Sequence, residues 1–384
     1  MGNKIKIAFV FGELGGGGAQ RQFGWLIKNM NRDKFDVTAV SITNKNYNKE
    51  QNRVNNETSL FLNDFLYKEI NDVCKIEFIN RKSFIRTGFA LYKYFKTENY
   101  NIIFYVTPLA ALLSLIPSFF LLKPKVIHGV RGNGILLSFE KSIYNVIHWI
   151  SQLRVNWFVM NSEKLLSNAL NCGYKNKKLH SIYNGIPTFY DVNHFDSEKT
   201  SPINIGFIAR FHPVKNHKMF IEAIGQCLGM TEKSFNVHLY GSGQLKEQLM
   251  NQVSEMKLND VICFEGWITN SKQALIENDI ICLTSNFEGF NNSIGEAQMH
   301  GIPVVTTDCT GSSEIVEHGL TGYVVKIGDK NAFANALVQL IENDALRNKF
   351  ASEAYKRARK LFPISKMVGK YEEFFHEICK KKSK

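Results

Sequence analysis

Apolar runs that read as strands alternate with amphipathic helical stretches along most of the chain. The strand-like runs of the first half are continuously apolar, which is typical of strands buried on both faces, since half-exposed strands alternate apolar and polar residues. Their sequences are KIKIAFVFG, FDVTAVSIT, CKIEFIN, NIIFYVT, KVIHGV, NWFVMNS and KLHSIYN. This alternation of strands and helices predicts a parallel sheet that is covered by helices.

The rhythm breaks over residues 184–202, which are rich in Asn, Asp, Ser and Pro and show no sustained periodicity. A second series of strands follows, with the sequences INIGFIAR, FNVHLYG, VICFEG, DIICLTS and PVVTT, and then a helical tail from about Asn331. We therefore predict an α/β fold of two Rossmann-like domains facing across a cleft, with the chemistry between the carboxyl ends of the two sheets. The predicted segments are an N-terminal domain at 1–184, a linker at 185–202, a C-terminal domain at 203–363, and a C-terminal helix with a basic tail at 364–384 that returns to the first domain.

The uncharged stretch at residues 102–122 is long enough, at 21 residues, for a transmembrane helix. Pro108 and Pro117 interrupt it, and its first residues are β-branched and aromatic whereas the rest is rich in Leu and Ala. We predict a buried strand to about Thr107 and then an apolar helix beginning at Pro108, because proline is tolerated in a first helical turn. One side of this helix is a candidate for contact with lipid.

The 384-residue chain has a formal net charge of +12, and its length suits two domains. All of the positive excess lies in residues 1–195, which have 25 Lys and Arg against 13 Asp and Glu, whereas residues 196–384 have 22 of each sign. A basic half beside a neutral half favours an acidic membrane face, a phosphorylated substrate or nucleic acid as a partner. A solvated basic surface with no partner is the open alternative.

The seven cysteines are scattered, form no Cys-x-x-Cys pair and are odd in number, so we expect neither a disulfide framework nor a zinc ribbon. The N-terminal MGNKIKIAFVFG enters a strand almost at once and has no small-residue cleavage site, so we expect no export signal. Both observations favour the cytoplasm, with the protein free there or peripheral on the inner face of the cytoplasmic membrane.

The first strand of each predicted domain is followed by a loop that suits an anion. Residues 11–22, FGELGGGGAQRQ, contain four consecutive glycines whose free N–H groups at a helix N-terminus can bind phosphate. Their spacing fits neither the dinucleotide fingerprint nor a P-loop, so a flexible turn is equally open. In residues 208–216, IARFHPVKN, Arg210 and Lys215 either neutralise a diphosphate together or are two solvated basic side chains.

The stretch SNFEGFNNSIGEAQMHGIPVV, residues 285–305, contains two carboxylates on one strand–loop–helix frame. The pattern places Glu288 on the loop and Glu296 in the first turns of a helix that begins at about Asn292. Free backbone N–H groups at the positive end of that helix lie between them. Carboxylates in these positions can accept hydrogen bonds from hydroxyls at the two ends of a phosphate-bridged ligand. They do not resemble the paired carboxylates of a glycoside hydrolase, which flank one bond.

This stretch and its continuation, HGIPVVTTDCTGSSEIVEHGLTGYVV, resemble the E-x7-E region of the retaining glycosyltransferases of family 4, which have the GT-B fold. Further motifs match in the family's order and cover nearly the whole chain. They are the Gly-Gly of the first loop, HG at His128, NS at Asn161, NGI at Asn184, ARFHPVKN at Ala209, YGSG at Tyr240 and FEGW at Phe264.

The resemblance implies a role for individual residues. Arg210 and Lys215 match the pair that binds the donor diphosphate, and Glu296 matches the glutamate that holds the ribose hydroxyls. Glu288 matches the glutamate near the sugar hydroxyls, and His128 matches a histidine on the acceptor side of the donor sugar; with the cation pair these two form the implied catalytic set. The other residues implied at the donor site are Gly16, Gly17, Gly241, Gly243, Gly266, Phe290, Asn291, Asn292 and Ser293, and those implied on the acceptor side are Arg131, Ser162 and Asn184.

Two positions depart from the family's pattern. The family often has proline where Asn291 stands, which puts the selectivity for the sugar in question, and Gln20 replaces the usual glutamate of the first loop. Neither change removes a residue that the resemblance assigns to the phosphates.

The resemblance implies a retaining hexosyl- or N-acetylhexosaminyltransferase that uses a nucleotide sugar, most often a UDP-sugar. The implied acceptor is a glycan, such as one linked to undecaprenyl diphosphate, in the synthesis of bacterial surface polysaccharide, lipopolysaccharide or capsule. The chain has no Asp-x-Asp, so we expect no metal and no cofactor, with Arg210, Lys215 and a helix N-terminus stabilising the leaving diphosphate. We expect the basic N-terminal domain to meet an anionic membrane surface.

Other functions remain open from the sequence. A GT-B fold can also host a nucleotide-sugar epimerase or hydrolase. A non-catalytic glycan-binding or nucleic-acid-binding protein is a further alternative, but the four charged residues that match the donor site are intact, and no aromatic and basic platform for nucleic acid is evident.

Overall fold

The computed structural model describes residues 4–12, 14, 17–43, 66–80, 83–113, 115–132, 152–192 and 202–380. The chain divides into two compact units, one of Met1–Gly185 with Ile364–Lys384 and the other of Ile186–Pro363. Each unit contains one parallel sheet, as the two series of apolar runs predicted.

The sheet of the first unit has seven strands in the order β3-β2-β1-β4-β5-β6-β7, and all seven predicted runs form strands. The strands are β1 (Ile5–Phe11), β2 (Phe35–Thr43), β3 (Lys75–Asn80), β4 (Ile102–Tyr105), β5 (Lys125–Val130), β6 (Trp157–Met160) and β7 (Leu179–Ser181). The helices are α1 (Gly18–Asn29), α2 (Phe84–Glu98), α3 (Pro108–Leu113), α4 (Leu115–Phe120) and α5 (Glu163–Asn171), with a 3-10 turn at Asn176–Lys178.

The uncharged stretch at residues 102–122 forms the buried strand β4 and then helix, beginning at Pro108 as predicted. The structure describes this helical segment in two parts, α3 and α4, on either side of residue 114, which lies outside the described residues. No helix within the described residues is long and apolar enough to cross a membrane.

The sheet of the second unit has six parallel strands in the order β10-β9-β8-β11-β12-β13. The strands are β8 (Ile203–Ile208), β9 (Phe235–Tyr240), β10 (Ile262–Gly266), β11 (Ile280–Leu283), β12 (Val304–Thr307) and β13 (Gly322–Val325). The last strand was not predicted, because it has only four residues and follows a glycine-containing turn, so no periodicity marks it.

The second unit has seven described helices, and the last two lie in the predicted helical tail, which is therefore not one continuous helix. The seven helices are α6 (His217–Cys227), α7 (Lys246–Glu255), α8 (Lys272–Glu277), α9 (Asn292–Met299), α10 (Ser312–Ile315), α11 (Lys330–Glu342) and α12 (Asp344–Leu361), with a 3-10 turn at Pro213–Lys215. The tail breaks at Asn343, whose Oδ1 accepts a hydrogen bond of 2.8 Å from the backbone N–H of Leu346 and so caps α12.

The C-terminal helix α13 (Ile364–Lys380) belongs to the first unit, as predicted. Its apolar face enters the core, where the ring of Phe375 lies 6.1 Å from that of Phe9 and the ring of Tyr371 lies 6.0 Å from that of Phe104. These four rings are almost fully buried, so the helix completes the hydrophobic core over β1 and β4.

Candidate functional site

The order of the second sheet determines where a ligand can bind. Strands β8 and β11 are neighbours, with Ile205 paired to Ile280. The strand that follows β8 in the chain, β9, lies on one side of this pair, and the strand that follows β11, β12, lies on the other side. In open parallel sheets, ligands bind outside the carboxyl ends of two strands at such a reversal of strand order. The loops at this position are residues 209–216 and 284–291.

Hydrogen bonds join these two loops. The backbone N–H of Asn286 donates to the carbonyl of Val214 at 2.8 Å, and Thr284 Oγ1 donates to the carbonyls of Lys215 and Asn216 at 3.1 and 2.8 Å. The side chain of Asn216 also bonds that of Asn286 at 3.2 Å. The two loops therefore form one frame, and residues far apart in sequence have fixed relative positions on it.

Lys215 and Glu288 form an ion pair on this frame. The Lys215 ammonium donates to Glu288 Oε1, and Ser285 Oγ donates to the same oxygen at 3.0 Å. The two charged side chains are only 17% and 16% exposed, so their interaction is less screened by water than a surface pair would be. The structure thus brings together two residues that the family resemblance assigned to different parts of a ligand.

Arg210 lies two residues beyond β8, with its side chain exposed. Within the described ranges its guanidinium has no hydrogen bond and no ion pair. An exposed guanidinium at the end of this strand can reorient toward an anion without breaking an existing contact, and it can bind a phosphate through two N–H groups.

Gly241 and Gly243 allow the loop after β9 to lie against the loop after β8. A Cβ on Gly241 would lie 2.0 Å from the carbonyl oxygen of Ala209, and one on Gly243 would lie 2.5 Å from that of Phe211. Both glycines also have positive φ angles, of 154° and 152°. Only glycine fits here without displacing the backbone beside Arg210.

The N-terminus of α9 lies at the end of the loop that carries Glu288. Asn291 precedes the helix and is buried, and its Oδ1 accepts a hydrogen bond of 3.0 Å from Ser293 Oγ. Its Nδ2 is buried without a hydrogen-bond partner among the described residues. The aromatic ring of Phe290 packs 5.4 Å from that of Phe362, which anchors this loop to the unit.

Glu296 lies on α9, separated from Glu288 by loop and helix as predicted. The side chain is buried, and its Oε2 accepts a hydrogen bond from Ser271 Oγ, which lies at the beginning of α8. The predicted donor-site residue Gly266 ends β10 with a φ of 80°, and nothing lies within 4 Å of the position that a Cβ would take there.

Two ionisable groups beside the Lys215–Glu288 pair are neutral near pH 7. Burial between the rings of Phe207 and Phe211, and next the charge of Lys215, lower the pKa of His217 to about 3. Burial raises the pKa of the Cys309 thiol to about 11. The charge at this edge of the sheet therefore comes from Arg210, Lys215 and the carboxylates.

The predicted residue His128 lies in the first unit, near the end of β5. Its imidazole is buried between the rings of Tyr105 and Phe158, at 5.5 and 5.7 Å and nearly perpendicular to both. Burial lowers its pKa to about 3, so the ring is neutral at pH 7. A neutral imidazole has one N–H donor and one acceptor nitrogen, but it does not act as a cation.

The three residues predicted on the acceptor side have structural contacts in the first unit. Arg131 donates to Asn184 Oδ1 at 3.0 Å and to the Tyr371 hydroxyl, and its guanidinium lies 4.9 Å from the centre of the Phe23 ring. Ser162 caps α5, with Oγ accepting from the backbone N–H of Leu165 at 3.2 Å. The Arg131 side chain therefore ties the end of β5 to the C-terminal helix.

The glycine loop is described only in part. Gly17 precedes α1, and the N–H of Gly12 donates to Thr107 Oγ1 at 2.9 Å, which joins the ends of β1 and β4. Gly16 lies outside the described residues.

Sequence reasoning missed the serines that hold the two glutamates. Ser285 lies three residues before Glu288 in the same loop, so proximity could have suggested it. Ser271 lies 25 residues before Glu296 and nothing in the sequence relates the two. The described part of the chain contains no group of three or more His, Cys, Asp and Glu residues that could hold a metal ion, and the metal-free interpretation stays a prediction.

Two family profiles match the chain. One described as Glycosyltransferase Family 4 matches residues 16–189, and one described as Glycosyl transferases group 1 matches residues 202–343, so together they span most of the chain. The chain belongs to glycosyltransferase family 4. This family-4 chain shares its two-unit fold with HepE from Anabaena, solved in complex with UDP-glucose, with a TM-score of 0.78 and 20% identity over 97% of this chain and 100% of HepE. The GT-B fold expected from the resemblance is thus confirmed.

Curated relatives of this family-4 chain are named as bacterial glycosyltransferases. The poly(ribitol-phosphate) alpha-N-acetylglucosaminyltransferase of Staphylococcus aureus (strain COL) is 24% identical over 62% of this chain, and the match spans about half of that relative, 47%. The UDP-Gal:alpha-D-GlcNAc-diphosphoundecaprenol alpha-1,3-galactosyltransferase of Escherichia coli is 24% identical over 75% of this chain and 78% of its own length.

Proposed function

We propose that this chain transfers a sugar from a nucleotide-sugar donor to a glycan acceptor. The observation that carries the proposal is the convergence of Arg210, the Lys215–Glu288 pair and the N-terminus of α9 at the strand-order reversal of the second sheet. This combination supplies two cations, backbone N–H donors and two carboxylates within one frame. A nucleotide sugar has the complementary parts, which are a diphosphate and hydroxyls on both sides of it.

The leaving group of the reaction is a nucleoside diphosphate, so the site has to stabilise negative charge as the bond to the sugar breaks. Arg210 and Lys215 are the proposed cations for that purpose, and the α9 N-terminus adds a partial positive charge. The proposal therefore includes transfer without a metal and without a cofactor. Retention of the anomeric configuration is part of the proposal on the strength of the family resemblance.

The two glutamates have different environments and hence different proposed roles. Glu296 is buried and held by Ser271, so it suits a fixed hydrogen-bond acceptor for the ribose hydroxyls. Glu288 is paired with Lys215 and becomes available to a sugar hydroxyl when the ammonium turns to the diphosphate. UDP is the proposed nucleotide, supported by the UDP-glucose bound in HepE and by the UDP-Gal in the name of the Escherichia coli relative.

The proposed acceptor is a lipid-linked glycan of a bacterial surface polysaccharide, lipopolysaccharide or capsule. The diphosphoundecaprenol in the name of the Escherichia coli relative supports this acceptor class, and the name of the staphylococcal relative supports a surface polymer. We propose that the protein works at the inner face of the cytoplasmic membrane, with the basic first unit toward an anionic surface.

A donor panel tests the proposal. The purified protein is incubated with UDP-, GDP- and dTDP-sugars and with lipid acceptor extracted from bacterial membranes, with and without EDTA. We expect turnover with a UDP-sugar at the same rate in EDTA, and a product that retains the anomeric configuration by NMR. Failure of every donor, together with no binding of UDP by calorimetry, would refute the proposal; loss of turnover in EDTA would refute only its metal-free part.

The same assay separates the epimerase and hydrolase alternatives. With acceptor left out, a transferase releases little UDP, whereas a hydrolase releases UDP at its full rate and an epimerase changes the sugar without releasing UDP. Acceptor-dependent release of UDP is the result we expect.

A further inference from the structure

Helix α2 is apolar on two separate faces. Leu91 and Phe95 point to one side and are buried in the core. Ile85 and Phe89 point to a side roughly 120° away, at about 100° per residue, and there they are 60% and 52% exposed. A helix of a soluble domain normally has a polar outer face, so this second apolar stripe is unexplained by the core.

The exposed stripe continues onto the segment that contains α4. Helix α4 packs against α2, and the ring of Phe120 lies 5.8 Å from that of Tyr92, which follows Phe89 by one turn. Phe120 is 62% exposed, and Leu122 is 85% exposed. We define the apolar face as Ile85, Phe89, Phe120 and Leu122. Exposed apolar side chains grouped on two packed helices mark a binding surface.

The exposed charged residues of α2 and of the segment beside Leu122 are mostly basic. Arg86, Lys93, Lys96 and Lys123 are exposed along α2 and beside Leu122. The single acidic residue in the sequence from 84 to 125 is Glu98, and its Oε2 is paired with the ammonium of Lys6 at 3.0 Å. A partner for this surface therefore needs apolar groups in its centre and negative charge around them.

We propose that the apolar face docks on an anionic lipid bilayer, with Ile85, Phe89, Phe120 and Leu122 entering the interfacial layer and the surrounding cations meeting lipid phosphates. Aromatic and aliphatic side chains flanked by Lys and Arg are the composition of surfaces that lie in a membrane interface. An acidic protein partner would offer the charge but has no reason to present a wide apolar layer. This docking proposal rests on the proposed function in one respect, because the lipid-linked acceptor of that function would lie in the membrane on which the face docks.

Sedimentation with vesicles tests the docking. The protein is mixed with vesicles of phosphatidylcholine alone and of phosphatidylcholine with phosphatidylglycerol, at low and high salt. We expect binding to the anionic vesicles that salt weakens, and about tenfold weaker binding for the double variant Phe89→Ser/Phe120→Ser, because two exposed side chains no longer enter the interface. The variant Arg86→Ser/Lys93→Ser should lose the preference for anionic vesicles.

The matched control is Met250→Ser/Ile276→Ser, which replaces two apolar side chains of similar exposure in the second unit. We expect it to bind vesicles as the unchanged protein does. Equal binding by the control and by Phe89→Ser/Phe120→Ser would overturn the proposal, as would absence of binding to anionic vesicles. A concentration-dependent dimer that Phe89→Ser/Phe120→Ser abolishes, seen by sedimentation velocity, would also overturn it, because the face would then cover a second copy.

Calorimetry with UDP separates this proposal from the proposed function. The apolar face lies in the first unit, whereas the donor site lies in the second, so the vesicle variants should bind UDP unchanged. Loss of vesicle binding with UDP binding intact supports the docking proposal by itself. Vesicle binding through this face without binding of UDP would support the docking surface and refute the proposed donor site.

Discussion

The ammonium of Lys215 and the carboxylate of Glu288 form an ion pair between the two loops at the strand-order reversal of the second sheet. The cation that the proposed function assigns to the diphosphate is therefore neutralised by the protein's own carboxylate. A donor that binds as proposed has to replace this partner, so we expect its binding to exchange one anion for another. In the proposed function, this exchange would free Glu288 to bind a hydroxyl of the donor sugar.

Replacing Lys215 by alanine should weaken both donor binding and catalysis. The change removes a cation that is proposed to bind the leaving diphosphate, and it leaves the carboxylate of Glu288 without its ionic partner. We expect kcat/KM for the donor to fall by about 10²–10³, the range for loss of one preorganised group that stabilises developing charge. The control is Lys218→Ala, an exposed lysine one residue inside α6, which should retain kcat/KM.

The variant Glu288→Gln should separate binding from turnover. It preserves the shape of the side chain and removes its charge, so Lys215 no longer has to leave an anion to reach the diphosphate. We expect UDP to bind about tenfold more tightly, since one charge-assisted hydrogen bond no longer competes, while kcat falls. Calorimetry with UDP and steady-state rates check the two effects. Weaker binding of UDP would contradict the exchange of anions.

The close approach at Gly241 predicts a large effect of one methyl group. In Gly241→Ala, the new Cβ would lie 2.0 Å from the Ala209 carbonyl oxygen, at a residue whose φ is positive. We expect the free energy of unfolding to fall by at least about 3 kcal/mol and donor binding to weaken, because the loop beside Arg210 must move. Urea denaturation and calorimetry measure the two quantities.

The control for this prediction is Gly319→Ala. Gly319 also has a positive φ, of 75°, but nothing lies within 4 Å of the position of a Cβ. Its substitution should cost roughly 1–2 kcal/mol, which is the backbone penalty alone. Equal losses of stability in the two variants would show that the contact with Ala209 is unimportant.

The sequence predicts the strands well because parallel strands buried on both faces leave uninterrupted apolar runs. The position of the site also follows from the sequence, since Arg210 and Glu288 each come shortly after such a run and the carboxyl ends of parallel strands share one edge. The order of the strands, which makes β8 and β11 neighbours, comes from the structure. Only that order shows why these two loops meet.

Side-chain partners that join distant segments could not be predicted. Ser271 reaches Glu296 from another helix, and the pairing of Lys215 with Glu288 depends on hydrogen bonds between the two loops. Both contacts result from tertiary packing, which leaves no periodic or local pattern in the sequence. The short strand β13 was missed for a related reason, because its pairing to β12 and not its own composition makes it a strand.

Asn291 should influence the choice of donor sugar. Its buried Nδ2 has no hydrogen-bond partner among the described residues, whereas its Oδ1 is held by Ser293. We expect Asn291→Ala to change the ratio of kcat/KM between two UDP-sugars by about tenfold, the effect of one hydrogen bond to a substrate hydroxyl, while UDP itself binds unchanged. The same ratio in both proteins would contradict a contact with the sugar. The control is Asn251→Ala, an exposed asparagine on α7.

His217 should make the protein less stable in mild acid. Burial holds the pKa of this imidazole at about 3 in the folded protein, below the ordinary value of 6.5, and both ring nitrogens lack hydrogen-bond partners within the described residues. Between these two pKa values the unfolded chain binds a proton that the folded protein does not, so the free energy of unfolding falls as the pH falls from 6.5 toward 3.

The variant His217→Leu removes this group and keeps an apolar side chain between Phe207 and Phe211. Urea denaturation of both proteins at neutral pH and at about pH 5 isolates the contribution of His217, because the other ionisable groups are common to both. On acidification, we expect the free energy of unfolding of the variant to fall by about 2 kcal/mol less than that of the unchanged protein. The figure follows from about 1.4 kcal/mol for each pH unit below the ordinary pKa. Equal losses would mean that the folded protein accepts the proton at His217, and the space between the two rings would then have to admit water.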